Sequence, residues 1–109
     1  MTDYSEQRSH PRKPVSCNSV FRIKGDAETH EGHVINLSQG GLFFVTNKEV
    51  VATHEVMIKV FAGEGCKTDI YAAIEVIRCF PSEQGDGLYG IACAIWKRYD
   101  PKEVGDVFP

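Results

Sequence analysis

Several features are scarce in this 109-residue sequence, and each scarcity narrows what the chain can be. No apolar run approaches the roughly 18 residues of a membrane-spanning helix. The polar start, MTDYSEQRSHPRK, lacks the apolar centre of a secretory signal, so a cytoplasmic protein is expected. Cysteine is sparse: Cys17, Cys66, Cys79 and Cys93 are separated by 49, 13 and 14 residues, with no C-x-x-C pair. Thiolate zinc sites draw on closely spaced ligand pairs, so neither a metal nor another cofactor is expected. Cys79 and Cys93 lie in the apolar stretches VIRCF and IACAI and read as buried free thiols. His30-x-x-His33 reads as two polar positions beside a turn at Gly32. G-x-S-x-G, H-E-x-x-H and P-loop motifs are missing and the acids are scattered, so no enzyme is expected. Twelve basic against fifteen acidic side chains give −3, which excludes a general nucleic-acid polycation.

What remains is an ordinary globular composition, 42% hydrophobic and 25% charged, at a length that suits one small core. Residues 1–14 read as a flexible basic leader, with Pro11 and Pro14 blocking regular structure, and residues 15–109 as one folded domain. From Val15 the text is strand-like. VSCNSVFRI stops at the turn cluster Lys24-Gly25-Asp26, and HVINLS and GLFFVT flank a short hairpin connection at Gln39-Gly40. Val56, Ile58 and Val60 share one face, as do Ile70, Ala72, Ile74 and Val76, and then Tyr89, Ile91, Cys93 and Ile95. Asp100-Pro-Lys-Glu predicts an N-cap and a short C-terminal helix, ended by Gly105 and Pro109. Six alternating strands with short turns predict an all-β, six-stranded antiparallel barrel, because closure removes exposed edges.

Two local features carry chemistry. Arg8-Ser-His-Pro-Arg-Lys13 packs three fixed positive charges and His10 into six residues. Removing those three charges leaves nine basic side chains against fifteen acids, so the cluster reads as a specific anion site. Arg8 and Arg12 each offer a planar donor fork suited to phosphate or to a guanine Hoogsteen edge. The second feature is Asn36-Leu-Ser38-Gln-Gly-Gly41 at a strand end. Strict alternation would put Ile35 and Leu37 in the core and leave the Asn36 amide and Ser38 hydroxyl outside, as acceptors for guanine N–H groups. Gly40 and Gly41 are then free to take positive φ and admit a ligand close to the backbone.

These residues resemble a known family. Arg8-x-x-x-Arg12 followed by Asn36-x-Ser38-x-x-Gly41 is similar to the R-x-x-x-R and [D/N]-x-S-x-x-G pair of PilZ domains. Members of that family are bacterial receptors for cyclic di-GMP, built on a six-stranded barrel with a C-terminal helix. The resemblance extends to Val76-Ile77-Arg78 and Tyr89-Gly90-Ile91-Ala92. It implies that Arg8 and Arg12 clasp phosphates and guanine, that Asn36 and Ser38 bond a guanine, and that Gly41 shapes the turn. His10, Lys13 and Arg78 are auxiliary candidates. Asn36 stands where Asp is commoner, keeping the acceptor and losing the charge.

The expected function is a stand-alone cyclic di-GMP receptor that orders its leader on binding and signals to a protein partner. The alternative is a PilZ-like interaction module of pilus or motility systems that binds no nucleotide. A polymer-binding barrel would need basic and aromatic residues on one face. Phe43, Phe44 and Phe61 supply aromatics, but the strands are not basic, so neither nucleic-acid polymer nor membrane insertion is expected.

Overall fold

The computed structural model describes residues 13–52, 54–82, 86–100 and 102. Six strands form in chain order: β1 (Lys13–Ile23), β2 (His30–Leu37), β3 (Gly41–Thr46), β4 (Glu55–Val60), β5 (Ile70–Pro81) and β6 (Tyr89–Tyr99). All neighbours are antiparallel, and the order β1-β2-β3-β6-β5-β4 closes into the expected barrel. β1 begins at Lys13, two residues earlier than the sequence suggests. β4 pairs only with Ser19–Ile23, so the Pro14 end has β2 alone as its strand neighbour and tolerates a missing N–H.

The inward faces follow the alternation of apolar residues. Val56, Ile58 and Val60 are fully buried, as are Ala72, Ile74 and Ile91. Phe21 and Phe44 meet at the centre with rings 5.0 Å apart. Gly32 makes room for them. It lies within β2 and not in the expected turn, and a Cβ there would come 2.9 Å from Phe44 Cδ2. Cys93 is buried, Cys79 is half-buried, and both are free thiols.

Three residues stand without a partner across the ladder. The β2–β3 register passes from Val34↔Phe44 to Asn36↔Phe43 and skips Ile35. The β5–β6 register likewise skips Ile77 and Trp96. Each is the extra residue of a β-bulge, which has no partner across the ladder and breaks the two-residue period. All three are exposed: Ile35 at 36%, Ile77 at 59% and Trp96 at 58%. Ile35 therefore does not face the core as expected. Val34 and Leu37 do, and Asn36 remains half-exposed beside the bulge.

The turns carry their own chemistry. Gly25 takes φ +90° after β1, and the Glu28 N–H donates to Asp26 Oδ1 at 3.0 Å. The Lys102 N–H donates to Asp100 Oδ1 at 2.9 Å, the expected N-cap contact. Of the described residues only Lys102 is helical, and the rest of the expected C-terminal helix lies outside them.

Candidate functional site

The motif turn is built by its own side chain. The Ser38 N–H donates to the Gly41 carbonyl at 2.9 Å, and the Gly41 N–H donates back to Ser38 Oγ at 3.1 Å. The hydroxyl also donates to the Gly41 carbonyl, at 3.3 Å. Ser38 thus closes the β2–β3 connection, and one acceptor position of its oxygen is already used. Among the described residues the positive-φ glycines are Gly25, Gly65 and Gly87, so Gly40 and Gly41 do not take the expected left-handed conformation. Gly41 opens β3 opposite Ala94. β6 braces the turn from behind: the Ile95 N–H donates to the Gly40 carbonyl at 2.9 Å, and Arg98 Nη2 to the Ser38 carbonyl at 3.0 Å.

Beside this turn a cavity of about 550 Å³ opens at the barrel mouth. Lys13, Lys67 and Arg98 line it with Ser38 and Gln39, above an apolar floor of Leu37, Cys66 and Ile70. Among the described residues no acidic side chain lines it. In a chain of net charge −3, three cations and no acid around one cavity make a focused electropositive site. A second cavity, of about 600 Å³, is lined by Phe43, Val45, Phe80 and Leu88, with Asp86 as the one charged side chain among the described residues. The sign of its charge makes it the poorer place for an anion.

The structure places the other expected residues around the first cavity or beyond it. Lys13 starts β1 opposite Leu37, one residue from both Asn36 and Ser38. Asn36 sits outside the cavity lining, in the row Pro14–Asn36–Phe43–Ala92–Arg78 that crosses five strands. Arg78 is therefore three strands from Asn36, about 14 Å along the sheet, and is not brought to the pocket. Arg8, His10 and Arg12 lie outside the described residues. Phe44 is core, and Lys59 covers both Phe61 and Tyr71 at 4.9 and 5.3 Å, which removes the aromatic platform considered above.

Sequence reasoning missed Lys67 and Arg98, which stand on the β4–β5 loop and the last turn-side residues of β6. The available signal was strand direction: with every neighbour antiparallel, the start of β1 and the ends of β2, β4 and β6 share one mouth. It also missed a chain of side chains across β1 and β2. Asn18 Oδ1 can only accept, so His33 Nδ1 donates to it at 3.1 Å, and Nε2 accepts from the Ser16 hydroxyl at 2.9 Å. This is the order of a nucleophile, base and orienter, but the Ser16 N–H is held by the Glu64 carbonyl at 2.8 Å and offers no oxyanion donor. Gly85-Asp-Gly-Leu-Tyr-Gly90 spells G-x-G-x-x-G, yet it leads into strand β6 and provides no helix N-terminus for a pyrophosphate.

The family model of the PilZ domain matches residues 6–103. The chain belongs to the PilZ domain family. PilZ domains are regulatory receptor modules rather than enzymes. Among solved structures, the barrel is similar to Bacillus subtilis MotI/DgrA, an inhibitor of motility, with TM-score 0.69 and 14% identity. That match covers 85% of this chain and 44% of the other, so this chain spans less than half of that protein's length. It is also similar to the PilZ domain of Escherichia coli YcgR with c-di-GMP, at TM-score 0.62 and 12% identity, covering 88% and 82%. Likeness at such identities carries the fold alone. No protein of curated function matches the sequence. No helix of the described residues is long and apolar enough to cross a membrane.

Proposed function

We propose that this PilZ domain is a cytoplasmic receptor for cyclic di-GMP, seated at the barrel mouth. The observation that carries the reading is the acid-free cavity with Lys13, Lys67 and Arg98, directly beside the Asn36-x-Ser38-x-x-Gly41 turn. Phosphates of the ligand rest on those cations. Arg8 and Arg12, a few residues upstream of Lys13, close on phosphate and guanine and order the leader as they do so. Asn36 accepts from guanine N–H groups, and Ser38 uses what capacity its turn leaves free. No bond is made or broken. Leader, ligand and barrel together present a new surface to a protein partner, which is how a domain without catalysis transmits a signal.

Calorimetric titration with cyclic di-GMP, GMP and GTP tests this. Cyclic di-GMP is expected to bind with roughly micromolar affinity, because ordering the leader offsets much of the contact energy. Arg8→Ala or Arg12→Ala should each cost about 2–4 kcal/mol, the loss of charge-assisted bidentate contacts. Comparable affinity for GTP would refute the reading. The rival, an interaction module without nucleotide, is favoured only by the Ser38 hydroxyl being bonded inside its own turn. It predicts no heat with cyclic di-GMP at all.

A further inference from the structure

Two thiols from distant parts of the chain meet under the wall of the cationic cavity. Cys17 is on β1 and 1% exposed, while Cys66 ends the hairpin after β4 and is 7% exposed. The hairpin is narrow: the Gly63 N–H donates to the Cys66 carbonyl at 2.8 Å, and the Cys66 N–H returns to the Gly63 carbonyl at 3.2 Å. It is strapped to β1 by a reciprocal pair, Ser16 N–H to Glu64 carbonyl at 2.8 Å and Glu64 N–H to Ser16 carbonyl at 3.0 Å. The strap holds the hairpin close over the sulfur. The Cys17 thiol reaches the Glu64 carbonyl at 3.8 Å, and a Cβ on Gly63 would lie 3.3 Å from Cys17 Sγ. Its neighbour on that side is Cys66, which pairs with Gly63 across the hairpin and whose thiol adds to burial in raising the Cys17 pKa. Cys66 also lines the cavity, immediately before Lys67 and Thr68.

We propose that Cys17 and Cys66 are a modification site: they form a reversible disulfide whose redox state sets the affinity of the adjacent anion pocket. Hydrogen peroxide is the oxidant class. Cys66, as its thiolate, attacks one peroxide oxygen and becomes a sulfenic acid, and with one proton taken up the other oxygen leaves as water. The Cys17 sulfur then attacks the Cys66 sulfur, the S–S bond forms, and the sulfenic oxygen leaves as a second water with the Cys17 proton. Two thiols and one peroxide thus become one disulfide and two waters, with two electrons passing from sulfur to oxygen. The order follows from position. Cys66 lines the cavity, where peroxide arrives, whereas Cys17 does not line it and is held protonated by burial and by the neighbouring Cys66.

The bond would draw the Cys66 sulfur toward β1 and pull Lys67 and Thr68 with it, so one side of the cavity wall shifts. Weakened binding on oxidation rests on the cyclic di-GMP reading; formation of the disulfide does not. In the test the full chain, reduced and then treated with hydrogen peroxide, is digested without reductant and mapped by mass spectrometry. A peptide joining Cys17 to Cys66 is expected in wild type and in Cys79→Ser, and is expected to vanish in Cys66→Ser. Cyclic di-GMP is then titrated against reduced, oxidised and dithiothreitol-rescued protein. Affinity is expected to fall by about tenfold on oxidation and to return on reduction, within the usual range of coupling between sites. No Cys17–Cys66 peptide, or the peptide with unchanged affinity, overturns the proposal. If reduced protein binds no cyclic di-GMP, the receptor reading fails and the peptide map alone decides the thiol pair.

Discussion

Gly63→Ala separates packing at the hairpin from the general cost of replacing a glycine. A Cβ at this position would lie 2.5 Å from the Ser16 carbonyl oxygen and 3.3 Å from Cys17 Cα. The nearest atoms are backbone and cannot swing aside. The hairpin must therefore withdraw by about 1 Å to recover ordinary van der Waals separation. That movement breaks the reciprocal Ser16–Glu64 hydrogen bonds, worth about 1–3 kcal/mol together. Alanine also removes freedom from the unfolded chain, which offsets about 0.4–1 kcal/mol. The net loss is on the order of 1–2 kcal/mol, or about 5–10 °C in Tm for a domain near this size. Gly25→Ala is the control: its φ is +90°, but nothing lies within 4 Å of an added Cβ, so only the left-handed backbone cost applies. Thermal denaturation followed by circular dichroism reads both variants. Cyclic di-GMP affinity should fall in Gly63→Ala, because Cys66, Lys67 and Thr68 follow the hairpin, and should be unchanged in Gly25→Ala. A Gly63→Ala protein as stable as wild type, with wild-type affinity, would refute the reasoning.

Three further outcomes follow from the same geometry. Arg98→Ala removes a cavity cation and its bond to the Ser38 carbonyl, so cyclic di-GMP affinity should drop about five- to tenfold, with a shallower salt dependence in the same titration. Ser38→Ala should lower stability by about 1 kcal/mol even without ligand, whereas Ser38→Thr keeps the hydroxyl and most of that stability in chemical denaturation. The folded Cys17 thiol has its pKa raised above the ordinary value of 9.0, first by burial and then by Cys66. Above that value the unfolded chain releases the proton before the folded one, so stability is full below about pH 9 and falls as pH rises through the folded pKa; Cys17→Ala should flatten that slope in denaturation curves.

The barrel was legible because most strands keep strict alternation. Val56, Ile58 and Val60 needed nothing beyond a two-residue period to be placed inside. Ile35 could not be placed that way. A bulge is set by how two paired strands share the curvature of a closing sheet, and neither strand carries that information alone. Gly32 read as a turn because glycine commonly marks one, and only the ring of Phe44, twelve residues on, shows it to be a packing position.

The site was half legible for a related reason. Asn36, Ser38 and Gly41 form a local turn, and local chemistry is written in consecutive letters. Lys67 and Arg98 reach the same cavity through loop closure and strand direction. Counting residues at that mouth would still not have predicted its charge, since Asp69 and Asp100 stand near it with the cations. Asp69 accepts the Ala62 N–H at 2.8 Å, and Asp100 accepts the Lys102 N–H. A carboxylate can satisfy a turn's orphan N–H, whereas an ammonium or guanidinium has no acceptor to offer it. Where a mouth is made of turns, the acids are drawn to the backbone and the cations are left to line the opening. The positive sign of this cavity, in a chain of net charge −3, follows from that division of labour.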